Sequence, residues 1–210
     1  MMLSRITDII YPNRCEVIEI PNLGYVYPIY KNGSGSITEY AKQMNYTLLI
    51  NEQIRKLSVI DIVLRSPLER FISGFNTFVY NTKHDHPELD LDTIIYFAET
   101  YLFLNRHYAP QLSWIINLSK FINPQCSLRI HDMKAVNMFT PLVIRPEETD
   151  VLTPEIVNRL TNNIHNELYL RLDHLLLELV GEEVTFTEVL AHLKAQDPIA
   201  YSKLKCIALD

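Results

Sequence analysis

The chain has 210 residues, 48% of them hydrophobic and 21% charged, with a formal net charge of −6 at pH 7. This is the composition of a globular protein long enough to bury one substantial core, and it excludes a protein whose whole surface grips nucleic acid. Any anion site must therefore be built locally.

Three cysteines, Cys15, Cys126 and Cys206, are odd in number and far apart. That fits neither a disulfide framework nor a paired-cysteine metal site and predicts a reducing compartment. The opening MMLSRITDII lacks the apolar run of a signal peptide, and no stretch approaches the roughly 18 apolar residues needed to cross a bilayer. The expectation is a soluble, cytoplasmic, single-domain protein over 1–210, with no membrane span and no nucleic-acid partner.

The first predicted element is YVYPIY, 25–30, aromatic and β-branched enough for a strand that Pro28 shortens or confines to an edge. KNGSGS follows at once, a lysine and then a small-residue turn. Ile37, Tyr40, Ala41 and Met44 then fall at i, i+3, i+4 and i+7, the spacing of one buried helical face. YTLLI (46–50) and SVIDIVL (58–64) read as short strands, the second apolar enough to be covered on both faces. Asp61 within it requires a hydrogen-bond partner. Ser66 as N-cap, Pro67 at N1 and Glu69 at N3 form a capping box that starts a helix.

Asp90 or Asp92 caps a further helix through TIIYFAETYLFL, and QLSWIINLSKFI supplies another before the strand-like SLRI at 127–130. NTKHDHPELD between them reads as an exposed polar loop, and its His84 and His86 do not predict a metal site. From Leu152 the pattern is helical: Thr153 caps, Pro154 takes N1, Leu152 and Val157 form a staple, and an apolar face runs to Gly181. His165, His174 and His192 read as surface or packing residues. A short helix near 187–195 and a tail containing SKLK complete the chain. Alternating strands and helices predict an α/β fold of three layers with a central parallel sheet and a helical C-terminal part over 152–210.

Small residues before a helix N-terminus let an anion reach unpaired backbone donors. At the carboxyl ends of parallel strands, where ligands bind, stand Lys31 and Arg65. Ser73 lies about two turns into the helix after Arg65, with Arg70 on the same face, so a guanidinium and a hydroxyl can share one phosphate. The nucleoside triphosphatase loop, GxxxxGK[ST], needs its lysine after the glycines. Here the order is reversed, which counts against a kinase.

KNGSGS followed by RSPLERFISGF resembles the 5′-phosphosulfate loop and the 3′-phosphate motif of sulfotransferases that use 3′-phosphoadenosine 5′-phosphosulfate (PAPS). Lys31, Gly33, Ser34, Ser36, Arg65, Pro67, Arg70 and Ser73 match in order. NRHYAPQLSWI resembles the H-x-x-P-Q element of the carbohydrate-type branch through His107, Pro110 and Gln111, and LRIHDM resembles a strand ending in an acidic residue, here Asp132. The resemblance spans about 24–135. Tyr30, Ser66 and Phe75 depart from it, standing where a proline, an Asp or Asn, and a tyrosine are usual.

The resemblance implies a P-loop-like strand-loop-helix that binds PAPS as co-substrate, through Lys31, Asn32, Gly33, Ser34, Gly35 and Ser36 on the 5′ side and Arg65, Arg70 and Ser73 on the 3′ side. Lys31 would neutralise the bridging oxygen. The base would be Glu52, near where relatives place theirs, with His107 as rival. The acceptor is a hydroxyl compound, a glycan or a small molecule, and no metal takes part. A nucleotide or nucleoside kinase and a catalytically silent nucleotide-binding relative are the competing classes.

Overall fold

The computed structural model describes residues 15–100, 107–142, 152–162 and 164–208. Six strands form one mixed sheet: β1 (Glu16–Ile20), β2 (Gly24–Tyr27), β3 (Leu48–Ile50), β4 (Val59–Val63), β5 (Ser127–His131) and β6 (Glu183–Thr185), in the order β3-β1-β2-β4-β5-β6. The class is α/β as expected, but the sheet is not wholly parallel. Only β2, β4 and β5 pair in parallel; β1 is antiparallel to β2 and β3, and β6 is antiparallel to β5.

The departure begins in EVIEI, residues 16–20, a strand covered on both faces, with Val17 on one and Ile18 and Ile20 on the other. A tight turn with Asn22 at φ 65° returns it into β2. A hairpin necessarily makes antiparallel neighbours, whereas the parallel pairs need the long crossovers that follow. Pro28 does shorten β2, which ends at Tyr27, yet β2 is an interior strand.

Helices cover both faces. Val17, Tyr27, Ile60, Ile62, Leu128 and Ile130 pack against α4 (Gln111–Ser119), α7 (Ile164–Leu177) and α8 (Phe186–Gln196), the largest apolar cluster. Ile18, Ile20, Val26 and Val63 face the other way, toward α1 (Ser34–Gln43) and the short α5 (Val136–Phe139). This two-residue alternation accounts for the continuous burial of β4 from Ile60 to Val63. Within α1, Ile37 and Ala41 are buried, while Met44, expected on the same face, caps the end and is exposed.

A third cluster joins α2 (Pro67–Asp85), α3 (Leu91–Thr100) and α6 (Pro154–Thr161) through Phe71, Phe75, Ile94, Ile95 and Leu160. Pro67 stands in the first turn of α2, but Ser66 makes no side-chain cap. The Glu69 carboxylate lies 3.6 Å from the Arg65 guanidinium instead, which takes it away from the expected box. Asp90 does cap α3, accepting from the Thr93 amide at 2.7 Å.

The helix expected from Thr153 to Gly181 is broken. Thr153 caps α6 as predicted, its hydroxyl accepting from Ile156, but α6 stops at Thr161. The side chains of Thr161 and Asn162 bond to residues one turn back, at the Val157 carbonyl and the Asn158 amide oxygen, and such competition weakens helices. The SKLK segment is helical, in α9 (Pro198–Ala208). The end of TIIYFAETYLFL lies outside the described residues. Among those described, no helix is long and apolar enough to cross a membrane.

Candidate functional site

Residues 28–33 connect β2 to α1, and the connection is bent through two left-handed residues, Lys31 at φ 68° and Gly33 at φ 78°. A non-glycine residue there costs about 1–2 kcal/mol, held in place only by its surroundings. Gly33 is obligatory on a second ground, since a Cβ would stand 2.8 Å from Cγ2 of Val136. It is the N-cap of α1 and brings no side-chain acceptor to the helix terminus, whose first turn holds no acidic residue. A Cβ on Gly35 would meet nothing within 4 Å, so the space over this turn is open. Ser34 and Ser36 are buried beneath it.

Asn32 locks the loop. It is 1% exposed, and its amide donates to the Val63 carbonyl at 2.8 Å and to Oε1 of Gln111 at 2.6 Å. The carboxamide of Gln111 also pairs with both backbone groups of Arg65, at 2.9 Å each. Three segments far apart in sequence are thereby held in one register. Arg65 Nη1 then donates to the Lys31 carbonyl at 3.4 Å.

The Lys31 ammonium donates to the Thr77 hydroxyl, which in turn donates to the Ser73 carbonyl at 3.2 Å. Arg65 is thus joined to Lys31, and Lys31 reaches α2 at Thr77, one turn after Ser73. Arg70 is held differently. It is 1% exposed, with Nε donating to the Tyr30 carbonyl at 3.0 Å and Nη1 to that of Ala109. Its guanidinium fastens two loops from behind rather than facing the opening.

Burial pulls the Arg70 pKa down to about 10, partly opposed by Asp173. Asp173, on α7, accepts from the amides of Gln111 and Leu112 at 2.7 and 2.9 Å, so it caps the N-terminus of α4 from another helix. Burial raises its pKa, and Arg70 and the two amides pull the other way. Arg70 and Asp173 both border a cavity of about 10 Å³, lined also by Phe71, Tyr108 and Tyr169, with room for about one water molecule and no ligand.

Glu52 is not drawn into this group. It lies on the 3-10 turn Asn51–Lys56 after β3, 79% exposed and 3.2 Å from Arg55. The intervening strand β1 puts β3 about 10 Å from β2. His107 is nearer: its ring meets Tyr30 edge-on at 5.8 Å, and Tyr30 stacks on Trp114 at 5.3 Å. It is buried, and its backbone is pressed on α2 so closely that a Cβ on Gly74 would lie 2.1 Å from the His107 carbonyl oxygen. Asp132 caps the turn after β5 by accepting from Lys134 at 2.9 Å.

Sequence reasoning gave Gln111 no role and passed over Thr77 and Asp173. Thr77 follows Ser73 by one turn, and Asp173 interrupts the buried face formed by Tyr169, Leu172 and Leu176. A lone carboxylate on an apolar stripe signals an internal partner. Among the described residues, no group of three or more His, Cys, Asp or Glu could hold a metal. Comparison with protein-family models, curated proteins and solved structures finds no match.

Proposed function

We propose that the protein is a sulfotransferase of P-loop-like fold that moves a sulfuryl group from PAPS to the hydroxyl of an acceptor, with carbohydrate the favoured class. One observation carries this reading. The guanidinium of Arg65 and the bent, glycine-capped loop at the N-terminus of α1 are coupled directly, through the Lys31 carbonyl, and Ser73 lies on the adjoining helix. Two adjoining anion sites suit a nucleotide with phosphates at both its 5′ and 3′ positions.

The residues present fit such a substrate. The open space over Gly35 admits oxygens to the amides of Gly33 to Ser36, and the helix dipole favours their charge. Lys31 moves from Thr77 to the bridging oxygen as charge develops there, which stabilises the transition state more than the ground state. Arg65 and Ser73 bind the 3′-phosphate and fix the register of the donor. Arg70 and Asn32 act through the backbone, holding Tyr30 and Val63 where the loop needs them.

Incubation with ³⁵S-labelled PAPS and a panel of mono- and oligosaccharides tests the activity. A labelled sulfate ester is the expected product. Binding of the nucleotide with no transfer to any hydroxyl compound would leave a silent relative of the family in place of an enzyme.

A further inference from the structure

The sulfuryl-transfer reading lacks a base, because Glu52 is exposed and paired with Arg55 and His107 is buried. On the α1 side of the sheet, however, stands a cluster that no motif indicated. Asp61, in the middle of β4 and 3% exposed, has Oδ1 2.7 Å from Nε2 of His131 and Oδ2 2.9 Å from Nη2 of Arg129. An ionised carboxylate at such a position is expensive unless its partners are well placed.

We propose that His131, oriented by Asp61, is the base that takes the proton of the acceptor hydroxyl; this rests on the sulfuryl-transfer reading given above. Asp61 is an acceptor and so holds the neutral ring with its proton on Nε2, leaving the lone pair on Nδ1. Nδ1 has no hydrogen-bond partner among the described residues, and the His131 side chain is 23% exposed. The orienting carboxylate is buried and the ring it holds is part-exposed. Among the described residues the charged group on this ring is Asp61, whose other oxygen pairs with Arg129; α5 contributes Phe139, edge-on at 5.8 Å.

Its position is also right. His131 ends β5 opposite Val63, and its carbonyl accepts from Leu64 at 2.8 Å, one residue before Arg65. The Val63 carbonyl is the one that anchors Asn32 in the loop. On the same face, the segment after His131 packs Val136 against Gly33 at the cap of α1. His131 therefore stands on the sheet face that carries the helix terminus, with β4 between its strand and β2.

In the step, the acceptor oxygen forms a bond to sulfur and its proton passes to Nδ1 of His131. The bond from sulfur to the bridging oxygen breaks, and its electron pair stays on the 5′-phosphate of the departing 3′-phosphoadenosine 5′-phosphate (PAP), where Lys31 neutralises it. Asp61 stabilises the imidazolium and is a positioning residue.

Two measurements on the wild-type protein separate this proposal from the reading beneath it. Calorimetric titration with PAP tests the donor site; absence of binding overturns the sulfotransferase reading and the base with it. Diethyl pyrocarbonate acylates accessible neutral imidazole nitrogens, and mass spectrometry locates the adducts. His131 should be acylated in the free protein and protected by saturating PAPS; PAP binding without that protection overturns the base alone.

Among variants, His131→Asn should retain PAP binding while hydrolysis of PAPS, with water as acceptor, falls by about 10²–10⁴-fold. Equal hydrolysis by variant and wild type would also overturn it. Asp61→Asn should move the ring proton from Nε2 toward Nδ1, visible in the ¹⁵N shifts of His131. An unchanged tautomer would remove Asp61 from the assignment.

Discussion

The carboxamide of Gln111 pairs with Arg65 as a neighbouring strand would, accepting from its amide and donating to its carbonyl at 2.9 Å each. The same oxygen takes a hydrogen from Asn32. One side chain thus sets the register between both halves of the candidate donor site. Gln111→Ala leaves the buried Asn32 amide and the two Arg65 backbone groups short of partners, with an expected loss of about 1–3 kcal/mol in stability. PAP affinity should fall as well, although Gln111 touches no ligand. Urea denaturation and calorimetry on the same sample check both; unchanged PAP affinity would show that the register is held elsewhere.

Lys31 and Arg65 should separate kinetically. Arg65→Ala removes a charged hydrogen bond to the 3′-phosphate and should weaken PAP binding by about 1.5–3 kcal/mol. Lys31→Met keeps the length of the side chain and should act on turnover, because its charge is needed most once the bridging oxygen becomes anionic. Unaltered turnover in Lys31→Met would end the role assigned to the lysine.

The elements of this fold were legible where local chemistry decides them. Pro67 after Ser66 marks the start of α2, and the apolar run around Ile60 marks a strand covered on both faces. EVIEI was not legible as a strand at all, because its polar and apolar residues do not alternate, and with it the antiparallel hairpin to β2 was missed. For the site, Lys31, Gly33 and Arg65 stood out because a bent loop and an anion both demand particular residue types. Asp173 and His131 did not, and Gln111 stood out only as a motif match without a role, since each takes its meaning from a partner between 46 and 70 positions away.

Asp173 should report the buried charges through pH. Its folded pKa is raised above 3.8 by burial, so in the window from 3.8 up to the raised value the folded state holds the proton more tightly than the unfolded chain. Its contribution to stability therefore falls as pH rises through that window. The advantage of wild type over Asp173→Asn, measured by denaturant unfolding, should shrink from pH 4 to pH 7. Asp173→Ala, which bares two helix amides and removes the countercharge of Arg70, should cost about 3–5 kcal/mol at pH 7. An advantage that grew with pH would contradict this account of the pair.

Cys15 and Cys126 should be inert in the native protein. Both are buried, and burial raises their thiol pKa values to about 12 and about 11, so little thiolate forms near neutrality. Alkylation mapped by mass spectrometry should mark these two positions only after denaturation. Rapid native labelling of either would place it at the surface.

The account as a whole depends on a 3′-phosphate being recognised beside the loop at Lys31. Calorimetric titration with PAP and with ATP, in the same buffer without added metal, tests that most directly. PAP carries the 3′-phosphate that the proposed function assigns to Arg65 and Ser73, and ATP lacks it, so PAP should bind more tightly than ATP. Equal affinity, or tighter binding of ATP, would contradict the sulfotransferase reading and return the nucleotide kinase to first place.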